Sequence, residues 1–479
     1  MNILDKEPKA IWKNFALLNA IPRPSKKEEK IIAFMKAFGE SLGFETSVDK
    51  TGNVLIKKPA TQGMEDRKTV VMQSHLDMVC QKNNDVEFDF DKDGIQTWID
   101  GDWLKAKGTT LGADNGIGVA SIMSILQSTD IPHPAIEALF TIDEETGMTG
   151  AFGLEPGQLD GKILLNLDSE EDDEITIGCA GGLDVTGTVQ YHAAAASGKG
   201  ISIEIKGLMG GHSGINIHEG RGNANVLLGR FLYLGIDDNI RLNSINGGGL
   251  RNAIPREAKA DFLIDNAEDY LKKAEELKAE ILNEFKSIEK EMQINISVGE
   301  ISGNAITNDD SVRFIRGLKT AHNGVFRMSP EVKDLVESSN NMARVELMDG
   351  LARILNLSRS SVDSTKIQVA DQLKASFESA GMSVEYTGGY PGWKPDPHSQ
   401  ILETIVQVYK NRFGEAPGVS ACHAGLECGI IGSNYPGMEM VSFGPTIMGA
   451  HSPEERVNIL SVQKFWGYLL DILKEIPKK

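Results

Sequence analysis

The chain has 479 residues, and its 68 acidic side chains outnumber 49 basic ones, which gives a formal net charge of −19. A chain of this length accommodates two or more domains, and such an excess of negative charge disfavours binding to a nucleic-acid backbone. No apolar run is long enough to cross a membrane, the first residues lack the apolar core of a signal peptide, and four cysteines are too few for a disulfide framework, so we expect a cytoplasmic protein.

Residues 1–182 predict alternating helices and strands. Two amphipathic helices come first, in PKAIWKNFALLNAI and KKEEKIIAFMKAFGESLG, and a strand pair that turns at residues 51–53 follows. Three apolar strands come next, in TVVMQSH, IEALFTI and KILLNL, and an apolar helix begins in the glycine-rich turn LGADNGIG. Because strands that alternate with helices are typical of an α/β fold, we expect a sheet with parallel strands flanked by helices.

Residues 183–395 show a different pattern, which begins with the order β-α-β-β-α-β. A second succession of elements follows: we interpret VELMDGLARIL as a helix, LSRSSVDSTKIQVA as a strand pair, ADQLKASFESAG as a helix and MSVEYTGG as a strand. The order of elements near Arg359 loosely repeats the order near Asn252. We therefore predict one inserted α+β domain made of two similar units, placed between the two parts of the first domain, 1–182 and 396–479.

Chemically reactive side chains follow the strands of the first domain. In open α/β sheets, ligands bind at the carboxyl ends of the strands, so we expect one imidazole and several carboxylates at the same edge. A polar residue after one strand is usually a turn residue or a helix cap, but four such positions coincide here. The residues concerned are His75, Asp77, Asp114, Glu144, Glu145 and Asp168.

Carboxylates at one site repel one another unless a cation offsets their charge. One or two divalent metal ions would do so. Imidazole together with carboxylates suits zinc best, with cobalt or manganese as alternatives. A site with two metal ions needs a bridging carboxylate and an activated water molecule. The sequence therefore predicts a metal centre at this edge of the sheet.

The chain contains six short motifs, which are SHLDMV, LGADNGIG, TIDEETG, NLDSEE, GGHSG and GAHSPEE. They resemble those of a known family, the co-catalytic zinc peptidases, which include carnosinases, tripeptide aminopeptidases and succinyl-diaminopimelate desuccinylase. The order and spacing of the motifs are similar to those of the family over nearly the whole chain. The length, the doubled insertion and the segment CHAGLECG resemble the aminoacyl-histidine dipeptidase branch. The resemblance implies a di-zinc exopeptidase-type mixed sheet with an inserted lid domain.

The resemblance also implies a ligand set for two divalent metal ions, with zinc as the expected metal and cobalt or manganese as alternatives. His75 and Asp168 would bind one ion. Glu145 and His451 would bind the other ion, and Asp114 would bridge both. Each residue belongs to one of the motifs.

Two further residues would take part in catalysis. Asp77 would hydrogen-bond the other ring nitrogen of His75, because side chains two residues apart point to the same side of an extended strand. Glu144 would be the general base, which takes a proton from the water between the metal ions and later protonates the leaving amine. In the family a cis peptide bond follows the bridging residue, here between Asp114 and Asn115.

The inserted domain resembles the lid of the family. His212 resembles the lid histidine that stabilises the tetrahedral oxyanion, and Asn252 resembles a lid asparagine near the substrate. Arg359 would clamp the C-terminal carboxylate of the substrate, since the guanidinium fork matches a carboxylate. Glu427 would hold the free α-amino group, and His423 would contact the substrate or support a residue that does. The alternative interpretations are a structural loop histidine for His212 and a surface arginine for Arg359.

The function implied by the resemblance is metal-dependent hydrolysis of unblocked dipeptides, with a preference for a C-terminal histidine as in carnosine-like substrates. The alternatives are a di-zinc tripeptide aminopeptidase, an N-acyl amino acid deacylase, and a catalytically silent binding or scaffold protein. A catalytically silent relative should lack the general base or a metal ligand, and this sequence contains all of these residues. We expect a small peptide as partner, and neither nucleic acid nor membrane. The second α+β unit of the inserted domain could take the place of a partner subunit's lid. The resemblance therefore leaves open whether the protein forms a homodimer through the lid domain.

Overall fold

The computed structural model describes residues 2–479, and their contacts divide the chain into two compact units. Unit 1 comprises the described residues up to Gly178, Pro395–Ala421 and Leu426–Lys479. Unit 2 comprises Cys179–Lys394 and the short segment Cys422–Gly425. Most of unit 2 is thus inserted into the sequence of unit 1, and its role as a lid stays a prediction.

The described chain contains helices and strands throughout its length. The helices are α1 (Lys9–Asn19), α2 (Glu29–Ser41), α3 (Ala113–Gln127), α4 (Thr149–Gly153), α5 (Ala224–Leu234), α6 (Ala267–Glu284), α7 (Asn308–Thr320), α8 (Asp363–Ser379), α9 (Gln400–Phe413), α10 (Glu427–Asn434) and α11 (Ile459–Glu475). The strands are β1 (Glu45–Val48), β2 (Val54–Lys58), β3 (Val70–His75), β4 (Thr97–Asp100), β5 (Trp103–Ala106), β6 (Ile136–Thr141), β7 (Ile163–Asn166), β8 (Glu174–Cys179), β9 (Gly181–Gln190), β10 (Ala193–Lys206), β11 (Arg241–Gly248), β12 (Ala258–Leu263), β13 (Gln293–Ile306), β14 (Gly324–Met328), β15 (Val336–Met348), β16 (Leu351–Ser360), β17 (Ser383–Tyr390), β18 (Gly418–Cys422), β19 (Glu439–Ser442), β20 (Ile447–Met448) and β21 (Arg456–Asn458).

Unit 1 contains a mixed eight-stranded sheet with the strand order β1-β2-β6-β3-β7-β19-β8-β18. β3 pairs in parallel with β6 and β7, and β7 pairs in parallel with β19, so the carboxyl ends of four strands meet at one edge. Every residue of β3, β6 and β7 is buried, which explains their nearly continuous apolar sequences. A four-stranded sheet, β20-β21-β5-β4, completes this unit. The predicted α/β fold with parallel strands is confirmed.

Five helices of unit 1 bury apolar faces in a single core, namely α1, α2, α3, α9 and α11. α1 contributes Ile11, Trp12, Phe15 and Leu18, at the spacing of one helical face. α3 is buried on nearly all sides, in agreement with its apolar sequence. Asn458 immediately precedes α11, and its side chain accepts a backbone N–H in the first turn of the helix. Within residues 2–479, no helix combines the length and the hydropathy that crossing a bilayer requires.

Unit 2 contains a nine-stranded sheet with two similar halves. Its strand order is β13-β10-β12-β11-β15-β16-β9-β17, and β14 pairs with β15. One half follows the chain order β10-α5-β11-β12-α6-β13, and the other follows β9-α7-β15-β16-α8-β17. In each half the first strand lies between the third and the fourth, and the two second strands, β11 and β15, pair with each other. The two similar α+β units predicted for the inserted region are the two halves of unit 2, and these halves share one continuous sheet.

One interpretation of a segment in unit 2 was wrong. VELMDGLARIL, which we expected to be a helix, forms the end of β15 and the beginning of β16, joined at Asp349 and Gly350. These two residues have φ values of 50° and 81°. Asp-Gly is the sequence signal for a two-residue hairpin turn with positive φ at both positions, and this signal outweighs the helical spacing of the apolar residues. The predicted strand pair that follows is instead the end of β16 and the first turns of α8.

Candidate active site

The strand ends of unit 1 carry most of the predicted metal and catalytic residues. β3 ends at His75, β6 ends three residues before Glu144, and β7 ends two residues before Asp168. Asp114 lies at the beginning of α3, and His451 lies in the loop between β20 and β21. The parallel arrangement of the strands therefore brings residues from distant parts of the sequence to one edge.

Asp114 lies between two imidazole rings. Its Oδ1 is 3.1 Å from Nε2 of His75, and its Oδ2 is 3.2 Å from Nε2 of His451. Nε2 of His75 is also 3.4 Å from Oδ1 of Asp168. Nε2 of His451 is 3.0 Å from Oε2 of Glu145. The five residues thus form two histidine–carboxylate pairs that share the carboxylate of Asp114.

The geometry of these residues fits metal coordination. Bonds of about 2.0–2.1 Å to a tetrahedral zinc ion place neighbouring ligand atoms about 3.3–3.4 Å apart, and the nitrogen–oxygen contacts here are 3.0–3.4 Å. His75, Asp114 and Glu145 each offer a ligand atom, and these atoms lie within 4.8 Å of one another. Oε1 of Glu145 is buried and has no hydrogen-bond partner within residues 2–479. The cluster could therefore hold metal ions. The peptide bond from Asp114 to Asn115 is cis, as the resemblance implied.

The cluster combines buried charges of opposite sign. Burial acts to lower the pKa of His75, but the carboxylates of Asp168 and Asp114 outweigh it and hold that pKa well above its ordinary value. Hydrogen bonds to Asp114 and Glu145 raise the pKa of His451 to about 11. Burial raises the pKa of Asp168. Because a metal ligand must offer a lone pair, metal binding here has to displace protons from both imidazoles.

Asp77 holds the turn that carries Glu144 and Glu145. Its Oδ1 accepts the backbone N–H of Glu144 at 3.1 Å, and its Oδ2 accepts that of Glu145 at 3.2 Å. The hydroxyl of Ser25 donates to the same Oδ2 at 2.8 Å. Nδ1 of His75 lies 3.4 Å from Oδ1 of Asp77 and 3.2 Å from its carbonyl oxygen. Asp77 thus contacts His75 and also positions the turn, which the sequence did not indicate.

Glu144, the predicted base, is half-buried in negatively charged surroundings. Burial raises its pKa well above the ordinary value, and the carboxylates of Asp168, Glu427 and Glu145 add to this rise, while His75 opposes it. A carboxylate with a raised pKa takes up a proton more readily. Such a group is suited to proton transfer near neutral pH.

Glu427, the predicted contact of the substrate amino group, is fully buried in unit 1. Its Oε2 accepts hydrogen bonds from Nε2 of Gln73 and Oγ1 of Thr141, both at 2.7 Å. Its Oε1 has no partner in the described part of the chain. Burial raises the pKa of Glu427 to about 8. Gln73 and Thr141 gave no signal in the sequence, because each lies inside a buried strand.

Two predicted residues of unit 2, His212 and Asn252, lie on neighbouring loops. The backbone N–H groups of Gly214 and Ile215 donate to Nδ1 of His212 at 3.2 and 3.1 Å. The proton of the neutral ring therefore lies on Nε2. The backbone N–H of Ser213 donates to the carbonyl oxygen of Asn252 at 2.8 Å, while Asn252 itself is exposed. Main-chain contacts thus fix the tautomer of His212 and join the two loops.

Arg359 is buried beside the loop of His212, with 4% of its surface exposed. Its Nε donates to Oγ of Ser213 at 3.3 Å, and its Nη1 donates to the hydroxyl of Tyr390 at 2.9 Å. No ion pair within 4 Å joins Arg359 to a carboxylate among residues 2–479. A buried guanidinium that forms no ion pair within this distance is suited to bind an anion.

His423 is also buried in unit 2, and its Nε2 lies 2.8 Å from Oγ of Ser339. Burial lowers the pKa of His423 to about 3 and that of His212 to about 4, and the positive charge of Arg359 adds to both effects. Both rings are therefore neutral near pH 7. A neutral ring keeps one N–H group, which can donate a hydrogen bond.

Two buried charged residues of unit 1 contact the site without having been predicted. Arg23 donates to carbonyl oxygens of the main chain at Asp77 and Gly112. Glu455 accepts the four consecutive backbone N–H groups of residues 111–114, in the turn before α3 and at its beginning. Glu455 belongs to the motif GAHSPEE, but the sequence does not distinguish it from the adjacent Glu454. Arg23 lies between two helices, where no pattern marks it.

Comparisons with known proteins extend these observations. The model of peptidase family M20/M25/M40 matches residues 71–475. The cytosol non-specific dipeptidase of Escherichia coli strain K12 is 45% identical over 477 residues, which cover 98% of each chain. The crystal structure of aminoacylhistidine dipeptidase from Vibrio alginolyticus has a TM-score of 0.95 and 45% identity, and the match covers 100% of this chain and 99% of that chain. The structure of aminopeptidase PepT from Bacillus cereus, with a TM-score of 0.57, 18% identity and 98% coverage of each chain, shows similarity of fold alone.

These similarities extend along nearly the whole chain. The family model spans the strand-end residues from His75 to Asp168, and it also spans His451. The resemblance noted in the motifs is therefore confirmed at the level of the family. The chain belongs to peptidase family M20/M25/M40.

Proposed function

We propose that the protein hydrolyses unblocked dipeptides. The observation that carries this proposal is the position of Asp114 between His75 and His451, at the strand ends that also carry Glu144. The relatives from Escherichia coli and Vibrio alginolyticus are both named as dipeptidases. Their 45% identity over nearly the full length supports the same activity for this chain.

Two divalent metal ions are part of the proposal, with zinc as the expected metal and cobalt or manganese as alternatives. His75 and Asp168 would hold one ion, His451 and Glu145 the other, and Asp114 both. The contacts of 3.0–3.4 Å within this cluster support the assignment. When bound, such ions polarise the scissile carbonyl and acidify a water molecule.

Glu144 is the proposed general base. Its carboxylate accepts a proton from the water whose oxygen attacks the carbonyl carbon of the peptide bond. It then gives this proton to the leaving nitrogen as the C–N bond breaks, so the water is divided between the two products. The hydrogen bond from the backbone N–H of Glu144 to Asp77 keeps the base oriented.

His212 is the proposed donor to the oxyanion that develops on the carbonyl oxygen. Because Nδ1 of His212 accepts backbone N–H groups, Nε2 carries the proton that the oxyanion would receive as a hydrogen bond. With a pKa of about 4, the ring stays neutral at pH 7 and donates without changing its charge.

Charged groups would recognise the two ends of the substrate. Arg359 would bind the C-terminal carboxylate, and Tyr390 would hold one side of its guanidinium. Glu427 would bind the free α-amino group through Oε1, the oxygen without a partner among the described residues. Asn252 and His423 are proposed as further substrate contacts. An N-acylated substrate or a C-terminal amide would lose one charged contact each.

The side-chain preference, the location and the assembly of the protein are also proposals. A preference for C-terminal histidine is supported by the name of the Vibrio relative, while the name of the Escherichia coli relative supports a broader range of dipeptides. That second name also supports a cytoplasmic location. A homodimer through unit 2 is proposed on the resemblance alone.

A substrate panel combined with metal titration tests the proposed function. The protein is stripped with a chelator, metal loss is verified by elemental analysis, and dipeptides, tripeptides and N-acyl amino acids are assayed with added zinc, cobalt or manganese. We expect no hydrolysis without metal and restored hydrolysis with it, fastest for unblocked dipeptides.

Three results would contradict parts of this proposal. Unchanged dipeptide hydrolysis after verified metal removal would exclude the metal-dependent mechanism. Faster cleavage of tripeptides or of N-acyl amino acids would favour the aminopeptidase or the deacylase. No turnover of any substrate by the metal-loaded protein would favour a silent binding protein.

A further inference from the structure

Glu455 is a buried carboxylate that joins two segments carrying proposed metal ligands. It is 3% exposed and follows His451 by four residues. The four successive backbone N–H groups of residues 111–114 donate to its two carboxylate oxygens, at distances of 2.7–3.3 Å. The last of these groups belongs to Asp114, so one side chain connects the loop of His451 to the turn of Asp114.

Arg23 contacts the same turn through its carbonyl groups. It is 2% exposed, and its Nη2 donates to the carbonyl oxygen of Gly112 at 2.5 Å. Its Nη1 donates to the carbonyl oxygens of Leu76 and Asp77 at 3.0 and 3.1 Å. Arg23 therefore links the turn to the segment next to His75. Two buried side chains of opposite charge therefore hold the turn. Arg23 binds a carbonyl oxygen of the turn, and Glu455 binds its N–H groups.

The conformation of the turn suits this arrangement. Gly112 has a φ of 68°, a conformation that side chains disfavour, and a Cβ atom there would collide with Nη2 of Arg23. The N–H groups that follow belong to the beginning of α3, where backbone donors lack partners within the helix. A carboxylate is a favourable partner for such donors, and burying it without them would cost free energy.

We propose that Glu455 is a positioning residue for the metal centre. It fixes the main chain of Asp114 relative to His451, so that each oxygen of Asp114 faces one imidazole. This inference rests on the proposed metal-dependent function. Without the carboxylate, the turn and the loop would move independently, and Asp114 would lose one of its two histidine contacts.

Two variants of Glu455 and one matched control test the proposal. Glu455→Gln keeps the shape of the side chain but places an NH2 group against two backbone N–H groups. Glu455→Asp keeps the charge but is one methylene shorter. Glu454→Gln makes the same change of charge at the adjacent exposed position. Cobalt binding to the metal-free full-length protein is measured by equilibrium dialysis and by the visible absorption spectrum, and kcat and KM are measured with dipeptides.

We expect Glu455→Gln to bind cobalt about 10- to 100-fold more weakly, because residues that orient metal ligands have effects of this size. The cobalt spectrum should change, and kcat should fall with little change in KM, since Glu455 is not a substrate contact. Glu455→Asp should show the same defects to a smaller degree. Glu454→Gln should match the unmodified protein in every measurement.

Cobalt affinity and a spectrum equal to those of the unmodified protein, in both variants of Glu455, would overturn the inference. Loss of the folded far-UV circular dichroism spectrum in both variants would also overturn it, because the carboxylate would then support the fold and not the site. If the unmodified protein binds no cobalt, the proposed metal-dependent function fails first, and this inference fails with it.

Discussion

The carboxylate of Asp77 accepts the backbone N–H of Glu144 at 3.1 Å. The same carboxylate lies 3.4 Å from Nδ1 of His75 and is completely buried. One side chain therefore contacts a proposed metal ligand on one side and the segment of the proposed base on the other. A change at Asp77 should disturb metal binding and proton transfer together, whereas a change at either neighbour should disturb one of them more.

Asp77→Asn should lower metal affinity about 10- to 100-fold and also reduce kcat. The NH2 group of the amide faces a backbone N–H, that of Glu144 or of Glu145, and the substitution withdraws a negative charge from His75. Equilibrium dialysis of zinc and steady-state kinetics measure the two effects. Ser25→Ala is the control, because it removes one hydrogen bond to Asp77 and keeps the charge, so its effects should be smaller. Equal metal affinity and kcat in Asp77→Asn and the unmodified protein would contradict this role.

Glu144→Gln should reduce kcat by about 10²- to 10⁴-fold and leave the bound metal content unchanged. The amide cannot take a proton from the attacking water, yet Glu144 is not among the proposed ligands. Elemental analysis and dipeptide kinetics on the same preparation give both values. Glu155→Gln, at an exposed position, is the control. If Glu144→Gln turns over dipeptides at the unmodified rate, another residue is the base.

Arg359→Ala should raise KM for dipeptides about 10- to 100-fold, since hydrogen bonds to charged groups contribute about 1.5–3 kcal/mol. KM for the corresponding C-terminal amides should change much less, because they lack the carboxylate that Arg359 would bind. Arg353→Ala, at an exposed position of the same strand, is the control. An equal rise in KM for the acids and the amides would exclude a contact with the carboxylate.

Acid should destabilise the fold through His423. Its pKa is about 3 in the folded protein and 6.5 ordinarily, so the unfolded chain binds more protons between these values. The stability that the neutral ring contributes is complete above pH 6.5 and declines progressively as the pH falls. Between pH 7 and pH 5 this one group should account for about 2 kcal/mol of lost unfolding free energy.

Urea unfolding of the metal-free protein at pH 7 and pH 5 checks this value. In His423→Gln the loss on acidification should be smaller than in the unmodified protein by about 2 kcal/mol. His398→Gln removes an exposed histidine and should leave the pH dependence unchanged. The same pH dependence in His423→Gln and the unmodified protein would contradict the prediction.

The sequence indicated those parts of the candidate site that depend on local pattern. An apolar strand that ends in polar residues is visible in the sequence, and parallel pairing brings His75 and the segment before Asp168 to the same edge. Glu455 and Arg23 could not be predicted in this way, because their partners are backbone groups. The partners of Glu455 lie more than 340 positions away, and no side-chain pattern marks such a contact.

The inserted region shows the same limit. The repeated order of helices and strands indicated the two similar halves of unit 2, but it did not indicate that β11 and β15 would join these halves in one sheet. Strand pairing between the two halves depends on the register of backbone hydrogen bonds, which the sequence pattern does not specify. The Asp349–Gly350 turn was a local signal that we interpreted wrongly, because apolar spacing over the same residues favoured a helix.

The position of unit 2 in the chain sets the order in which a ribosome completes the proposed active site. Asp168 precedes unit 2, and His451 follows it. At about 5–20 residues per second, tens of seconds pass between the synthesis of these two residues. All strands of the unit 2 sheet have been made by Tyr390, whereas the nascent chain still lacks His451 and Glu455. If the proposed metal ions bind, their loading is expected to follow translation, after the last segment of unit 1 has docked.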